Sequence, residues 1–505
     1  MDATYGACLP LLIAAPLIFA AVLIIFPNAK MTGRAFILIS PALTIAFSAL
    51  LLVEHRTTPA IAEQIGAWPA GISVAFVSDT FTALMLLATS LVILTCAAFS
   101  IASQDSDERY FQPLFLILSA GVAGALLTAD LFNLFVFIEL MFLPSCGLIV
   151  MRKGLTKLES SRLYVTVNLL TSAILVVGIG LIYGSTGTVN LAQLAGTAKD
   201  SNLVAGAFGV VLIALSVKSA IFPTHGWLTR TYPSASPVIS ALFSGLHTKV
   251  AIFAMYRIYS VAFLGSDKYL WLFTVLFAIT MLIGALGALG ETHLRSIFAF
   301  HMVSQVGYIL LGLALYSLVG LAAGIFYLVH HLIVKASLFL TAGAIEETFG
   351  TGRLSRLSGL AKSNKVAAIA FFMAAMSIAG LPPFSGFVAK FNLLSAALTE
   401  KNYLATTAIV IVSIITLMSM LKIWSSVFWD REQTYVVSEK LNSSDTLTMV
   451  DTTTKIKTAL IVPGLFLALV SLVIGLAPNA LLDLSQRAAS SLVNIEPWVK
   501  AVLGQ

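Results

Sequence analysis

Charge is scarce in this 505-residue chain: 29 Lys and Arg with 23 Asp and Glu make up 10% of it, against about 25% in an ordinary soluble domain. Hydrophobic residues supply 59%, and the mean hydropathy is +0.97. A soluble protein of this length would lack the polar surface to cover so much apolar mass. A soluble enzyme, a disordered chain and a nucleic-acid module are therefore excluded. Cysteine is equally sparse. Cys8, Cys96 and Cys146 stand alone in apolar stretches, which excludes a disulfide scaffold and any Cys-x-x-Cys pair and leaves three small buried hydrophobes. Neither His-Glu-x-x-His nor a His/Asp/Glu ligand cluster occurs, so no metal and no cofactor is expected. The glycines of Gly284-Ala-Leu-Gly-Ala-Leu-Gly290 lack the Lys-Ser/Thr of a phosphate loop and read as close helix packing. Asp2, with no Lys or Arg, precedes the first apolar run, which argues against a cleaved signal peptide.

Apolar length is what the chain has in abundance. Fourteen runs approach the roughly 20 residues needed to cross a bilayer: 8–26, 35–53, 79–102, 111–128, 130–151, 163–184, 202–230, 236–262, 270–290, 295–316, 318–346, 366–398, 403–429 and 457–484. Such unbroken runs exclude a β-barrel and predict an all-α polytopic membrane protein. Residues 54–78, with Pro59, Trp68 and Pro69, read as a compact loop, and the Ser/Thr-rich stretch 430–456 as a flexible linker. An even number of spans puts both termini on one side. With the termini outside, seventeen Lys and Arg fall in inner loops and six in outer segments, the asymmetry the positive-inside rule demands.

Six basic residues are left inside spans: Lys218, Lys249, Arg257, Lys335, Lys390 and Lys422. Arg257 and Lys422 lie near helix ends and are expected to snorkel to the interface. The other four lie deeper, where each costs about 2.5–3.5 kcal/mol to insert, and that cost points to function rather than to packing. Glu139 is the one acid well inside a span, because Asp79 and Asp130 fall at helix starts, where capping accounts for them. Burial favours the neutral form of a lysine and a nearby carboxylate favours the charged form. A buried Lys with a carboxylate that can approach or retreat is therefore a switchable proton site. For Glu139 and Lys218 the competing reading is a static ion pair that holds helices together.

Histidine extends the pattern. His331 and Lys335 are four residues apart and share a helix face, which favours a relay. His330 points away from that face. His225, His247 and His301 read first as hydrogen-bonded packing residues. His330, His247 and Ser304 are kept as secondary relay candidates.

Two spans are interrupted by proline, one at Ser216-Val-Lys218-Ser-Ala-Ile-Phe-Pro223 and one at Ser377-Ile-Ala-Gly-Leu-Pro382-Pro383, the second followed by Lys390. Proline frees carbonyls inside a helix, which is tolerated where the opened backbone faces protein or a water-filled cavity. The breaks fall in the seventh and twelfth spans, an odd displacement that reverses orientation. Helices 4–8 (residues 104–264) and 9–13 (265–429) are thus expected to form two inverted five-helix repeats. Residues 1–103 supply three preceding helices, and 430–505 the linker, the last helix and a short C-terminus. Two unrelated kinks are the alternative.

These segments resemble the proton-translocating antiporter-like membrane subunits shared by Mrp-type Na+/H+ antiporters and respiratory complex I. The resemblance is carried by Asp130-Leu-Phe-Asn-Leu-Phe-Val-Phe-Ile-Glu139, Lys218-Ser-Ala-Ile-Phe-Pro-Thr-His-Gly-Trp227, Ser236-Pro-Val-Ile-Ser-Ala241 through Lys249, and Ala379-Gly-Leu-Pro-Pro-Phe-Ser-Gly-Phe-Val-Ala-Lys390. The sequence departs from it at Thr229-Arg230, where relatives often have Pro and an acid. The resemblance implies fourteen helices in which Glu139 and Lys218 form a modulating pair and Lys249 is the next proton carrier. It implies that His331 and Lys335 bridge to the second repeat and that Lys390 is the terminal proton donor or acceptor. It further implies a hetero-oligomeric complex with other Mrp-type membrane subunits in a prokaryotic cell membrane, exchanging protons for Na+ (or K+ or Li+). A proton-pumping subunit of complex I or of a membrane-bound hydrogenase, and a proton-inert assembly scaffold, are the alternatives.

Overall fold

The computed structural model describes residues 2–69, 73–151, 155–429 and 454–505. Most of the expected 430–456 linker therefore lies outside the described residues. The chain forms a helical bundle, and eleven of the described helices are long and apolar enough to cross a membrane, with three shorter apolar helices alongside. Together these account for all fourteen expected spans. In order they are α1 (Leu11–Ile25), α2 (Lys30–Glu54), α3 (Thr80–Ala102), α4 (Phe111–Leu127), α5 (Leu131–Val150), α6 (Leu155–Thr186), α7a (Asn202–Lys218) and its continuation α7b (Gly226–Thr231), and α8 (Pro237–Ala262). There follow α9 (Leu270–Gly290), α10 (Leu294–Ala314), α11 (Leu318–Phe349), α12a (Lys365–Ala379) and α12b (Ser385–Thr399), α13 (Tyr403–Ile423) and α14 (Thr458–Leu476).

Three features were not expected from the sequence. The 54–78 loop contains a two-stranded antiparallel hairpin, β1 (Ala60–Gln64) with β2 (Ala75–Asp79). The last span stops at Leu476, where Pro478 follows, and two further helices succeed it: α15 (Asn479–Val493) and α16 (Glu496–Leu503). Gln64 Nε2 donates to the Val502 carbonyl at 2.7 Å, and Gly6 packs against Ala62 and Glu63. Both chain ends thus meet the hairpin at one end of the bundle, as an even number of crossings requires.

Helices α8, α10 and α11 are buried almost along their whole length and form the centre, with the other spans around them. A helix apolar on every face belongs inside such an assembly. The glycines of α9 are packing residues, as expected: Gly284 and Gly287 abut Ser304 and Phe300 of α10.

Both proline breaks are real interruptions. At the first, the residues after Lys218 turn with Ala220 at φ +59°, and the Val217 carbonyl is taken by Trp227 Nε1 at 2.9 Å. At the second, Gly380 adopts φ +87°, a left-handed conformation that glycine reaches without a Cβ clash. Each break contains a cis X–Pro bond, Phe222–Pro223 and Pro382–Pro383.

Candidate functional site

Glu139 and Lys218 are not in direct contact; α6 stands between them. Lys218 Nζ donates to Asn168 Oδ1 at 3.4 Å, while Ser172 Oγ donates to Glu139 Oε1. Asn168 and Ser172 are four residues apart on α6 and therefore lie one above the other on the same face. Asn168 is itself held by donation from Nδ2 to the Tyr164 carbonyl at 2.9 Å. A static ion pair is thus not what the geometry presents. Lys218, Asn168, His247 and Trp227 line a cavity of about 20 Å³, enough for one water. His247 Nε2 bonds Ser145 Oγ at 2.8 Å, and its Nδ1 has no protein partner.

Lys249, fully buried on α8, is held by the Ser244 carbonyl at 2.6 Å and by Thr248 Oγ1 at 3.1 Å. Lys335 on α11, equally buried, donates to the Phe298 carbonyl at 3.1 Å. His331 lies within electrostatic reach of Lys249, Lys335, His330 and His301. It is wholly buried, and neither of its ring nitrogens meets a protein partner. An orphaned buried imidazole is costly unless water satisfies it. His331 is thus the point in the centre where the structure most needs water.

Lys390 follows the second break on α12b. Its Nζ donates to the Ala379 carbonyl at 2.9 Å, one of the acceptors that the interruption frees, and stands 5.4 Å from the centre of the Tyr308 ring. A Cβ on Gly380 would meet the Lys390 side chain at 2.6 Å, so this approach requires glycine. His301 Nε2 bonds Ser419 Oγ at 2.6 Å, and His330 Nδ1 bonds Ser385 Oγ at 2.7 Å. The Ser304 hydroxyl is buried with no protein partner. His225 lies in the first break, its ring 5.9 Å from that of Phe222.

Among the described residues, none of the four deep lysines has a carboxylate within ion-pair distance. Each is satisfied only by neutral oxygens, so each is poised to lose or regain its proton. Arg257 behaves otherwise. It does not snorkel but is buried and paired with Asp79 at 2.7 Å. Asp79 and Asp130 cap α3 and α5 as expected, accepting from Thr82 N at 2.9 Å and Asn133 N at 2.8 Å. Lys422 donates to the Leu289 and Glu291 carbonyls, each at 2.7 Å, and so caps the end of α9. Asn168 and Ser172 escape notice in the sequence, although two polar residues four apart within an apolar run are a readable signal.

A sequence profile of the NADH:quinone oxidoreductase/Mrp antiporter transmembrane family matches residues 128–416. A Na(+)/H(+) antiporter membrane protein of Alkalihalophilus pseudofirmus is 34% identical over 501 residues, covering 98% of each chain. Among solved structures, a chain of the Mrp complex from Dietzia sp. DQ12-45-1b superposes with a TM-score of 0.94 at 45% identity, over 99% of both chains. A chain of an archaeal respiratory complex, the membrane-bound sulfane sulfur reductase, superposes with a TM-score of 0.87 at 26% identity, over 98% of this chain and 99% of that one.

Proposed function

The chain belongs to the NADH:quinone oxidoreductase/Mrp antiporter family of membrane proteins, and from that premise we propose that it is the proton-translocating component of a multisubunit Na+/H+ antiporter. The observation that carries this reading is the series of buried bases without counter-ions: Lys218, Lys249, Lys335 and Lys390, interleaved with His247, His331, His301 and His330. A transporter rather than an enzyme follows, since the series offers proton sites and no nucleophile with its base. The closer sequence likeness to antiporter proteins favours antiport over a redox-driven pump.

In this mechanism a proton enters near Glu139. When the carboxylate is charged it holds Lys218 protonated across the Asn168–Ser172 bridge. When Glu139 is protonated or turns away, Lys218 releases its proton towards the His247 cavity and Lys249. Water joins Lys249 to His331 and Lys335, and Lys390 exchanges the proton with the far side. The two breaks are proposed to lie at equivalent places in inverted repeats spanning 104–264 and 265–429, and the termini to face outward from a prokaryotic cell membrane. An elementary charge crossing 100 mV is worth about 2.3 kcal/mol, so expelling Na+ against a steep gradient takes more than one proton per ion.

The test is Na+-dependent collapse of a pH gradient in vesicles bearing the assembled complex. Lys218→Ala and Glu139→Ala should abolish or strongly slow the collapse while the complex still assembles. Full activity of both variants would refute the relay. Loss of assembly with no separable transport defect would identify a scaffold.

A further inference from the structure

The second break holds a set of hydroxyls that the lysine series does not use. Ser377 at the end of α12a, Ser385 at the start of α12b and Ser471 on α14 are buried, at 0, 0 and 1% exposure. Their oxygens form a closed triangle: 2.8 Å from Ser377 to Ser471, 2.8 Å from Ser385 to Ser471 and 3.3 Å from Ser377 to Ser385. His330 Nδ1 joins this triangle through Ser385 at 2.7 Å. Gly386 allows the approach, because a Cβ there would strike the Ser377 carbonyl and come within 3.1 Å of His330 Cε1.

Three elements separated by up to 94 residues of chain thus converge three hydroxyls on one imidazole. Each hydroxyl can donate or accept, so a closed ring of three has two hydrogen-bond senses of nearly equal energy. The single main-chain donor onto it is Gly386 N, 3.4 Å from Ser377 Oγ. An arrangement built only to seal the break would be pinned by N–H donors or carbonyl acceptors. This one is free to reverse, as a proton wire must be.

We propose that Ser385, Ser471 and Ser377 form a hydroxyl relay that passes a proton between His330 and the break occupied by Lys390. The proposal rests on the proton-translocation reading above and extends it to serines. A proton arrives on His330 Nε2, and the ring releases the one on Nδ1 to Ser385 Oγ. Ser385 gives its own proton to Ser471, Ser471 to Ser377, and Ser377 through one water to the neutral amine of Lys390. Every oxygen ends with the single proton it began with, in the reversed sense, and only Lys390 gains charge. Rotation of the hydroxyls then resets the wire.

The test uses the assembled complex in vesicles, with Na+-driven collapse of a pH gradient as readout in H2O and in D2O, and Lys218→Ala as reference. Ser385→Ala and Ser471→Ala should each slow collapse by about tenfold, as loss of one relay step does for positioned proton transfer. Ser385→Thr, which keeps the hydroxyl, should stay within about threefold of the parent, since that is well under the tenfold that one lost step costs. The solvent isotope effect should change in the alanine variants alone. Parent-like rates in both alanine variants, with Lys218→Ala inactive, would overturn the hydroxyl relay and leave the lysine reading intact. Equal losses in Ser385→Ala and Ser385→Thr with an unchanged isotope effect would assign the serines a packing role and likewise overturn it. Parent-like rates in every variant, Lys218→Ala included, would instead refute the transport reading. If Ser385→Ala fails to assemble, Ser471→Ala decides, because its hydroxyl lies on a different helix.

Discussion

Arg257 Nη2 stands 2.7 Å from Asp79 Oδ2, with side-chain exposures of 5% and 1%, at the end of the bundle where the chain termini meet. Ser491 of α15 adds a third bond to that carboxylate at 3.0 Å, and the Trp498 ring lies 5.2 Å from the guanidinium. The pair thus ties α3, α8 and the two C-terminal helices together. Removing one partner of a buried ion pair costs about 3–5 kcal/mol, whereas replacing both with apolar residues is often neutral or stabilising. Arg257→Met should therefore lower the melting temperature of the solubilised complex sharply, and Asp79→Leu with Arg257→Met should recover most of it. A double variant as unstable as the single one would show that the charges themselves hold this end.

The same pair has a pH signature. Burial pushes the Asp79 carboxyl up, but the Arg257 charge and the Thr82 N–H outweigh it, and the net shift is below the usual carboxylate value. A group depressed on folding contributes stability above its unfolded value, near 3.9, and loses it as pH falls through the lower folded value. The melting-temperature difference between the parent and Asp79→Asn should accordingly be constant from neutral pH to about 5 and shrink below about 4. A difference that grows on acidification would contradict this sign.

The spans, both breaks and the four deep lysines are legible in the sequence because each has a local cause: apolar length, proline, and the cost of a charge in hydrocarbon. Arg257 is misread for the complementary reason. Its helix-end position favours snorkelling, and its partner is 178 residues distant, where no local rule reaches. Asn168 and Ser172 are hidden because Asn and Ser are ordinary residues until a Lys and a Glu are known to flank them. The β1–β2 hairpin is short, and its identity depends on packing against α16. The end of α14 is missed because the amphipathic α15 continues the apolar count past Leu476.

His331 separates stability from transport. Both its ring nitrogens lack protein partners in a fully buried site, so an apolar residue of similar size removes a desolvation penalty of about 1–3 kcal/mol. His331→Leu should leave the melting temperature unchanged or raise it, while Na+-dependent proton movement falls to background. His301→Ala breaks a bond to Ser419 and should instead lower stability. A His331→Leu complex that is both less stable and active would reverse the assignment.

Lys422 supplies the control for basic residues outside the relay. It sits in the last turn of α13 and bonds two carbonyls at the end of α9, where a cation offsets both orphan acceptors and the helix dipole. Lys422→Met should cost about 1 kcal/mol of stability and leave the transport rate of the assembled complex unchanged. A rate loss as large as that of Lys218→Ala would place Lys422 in the proton path.

The α6 bridge makes the sharpest demand on the proposed mechanism. If Lys218 and Glu139 communicate through Asn168 and Ser172, the bridge governs how strongly one charge feels the other. Asn168→Leu leaves both titratable groups in place and removes only the acceptor at 3.4 Å. Lys218 then loses a partner for its charged form, and proton uptake there becomes harder. The loss of a hydrogen bond to a charged group is worth about 1.5–3 kcal/mol, or roughly tenfold to a hundredfold in proton affinity. The pH at half-maximal transport should therefore shift to lower values in Asn168→Leu, since more acid is needed to load Lys218, and Asn168→Asp should shift it upward by holding the charge. A static Glu139–Lys218 pair would make both variants alter assembly and leave the pH profile where it was. Opposite shifts from a carboxylate and a leucine at one position are an outcome that only a bridge carrying charge information produces.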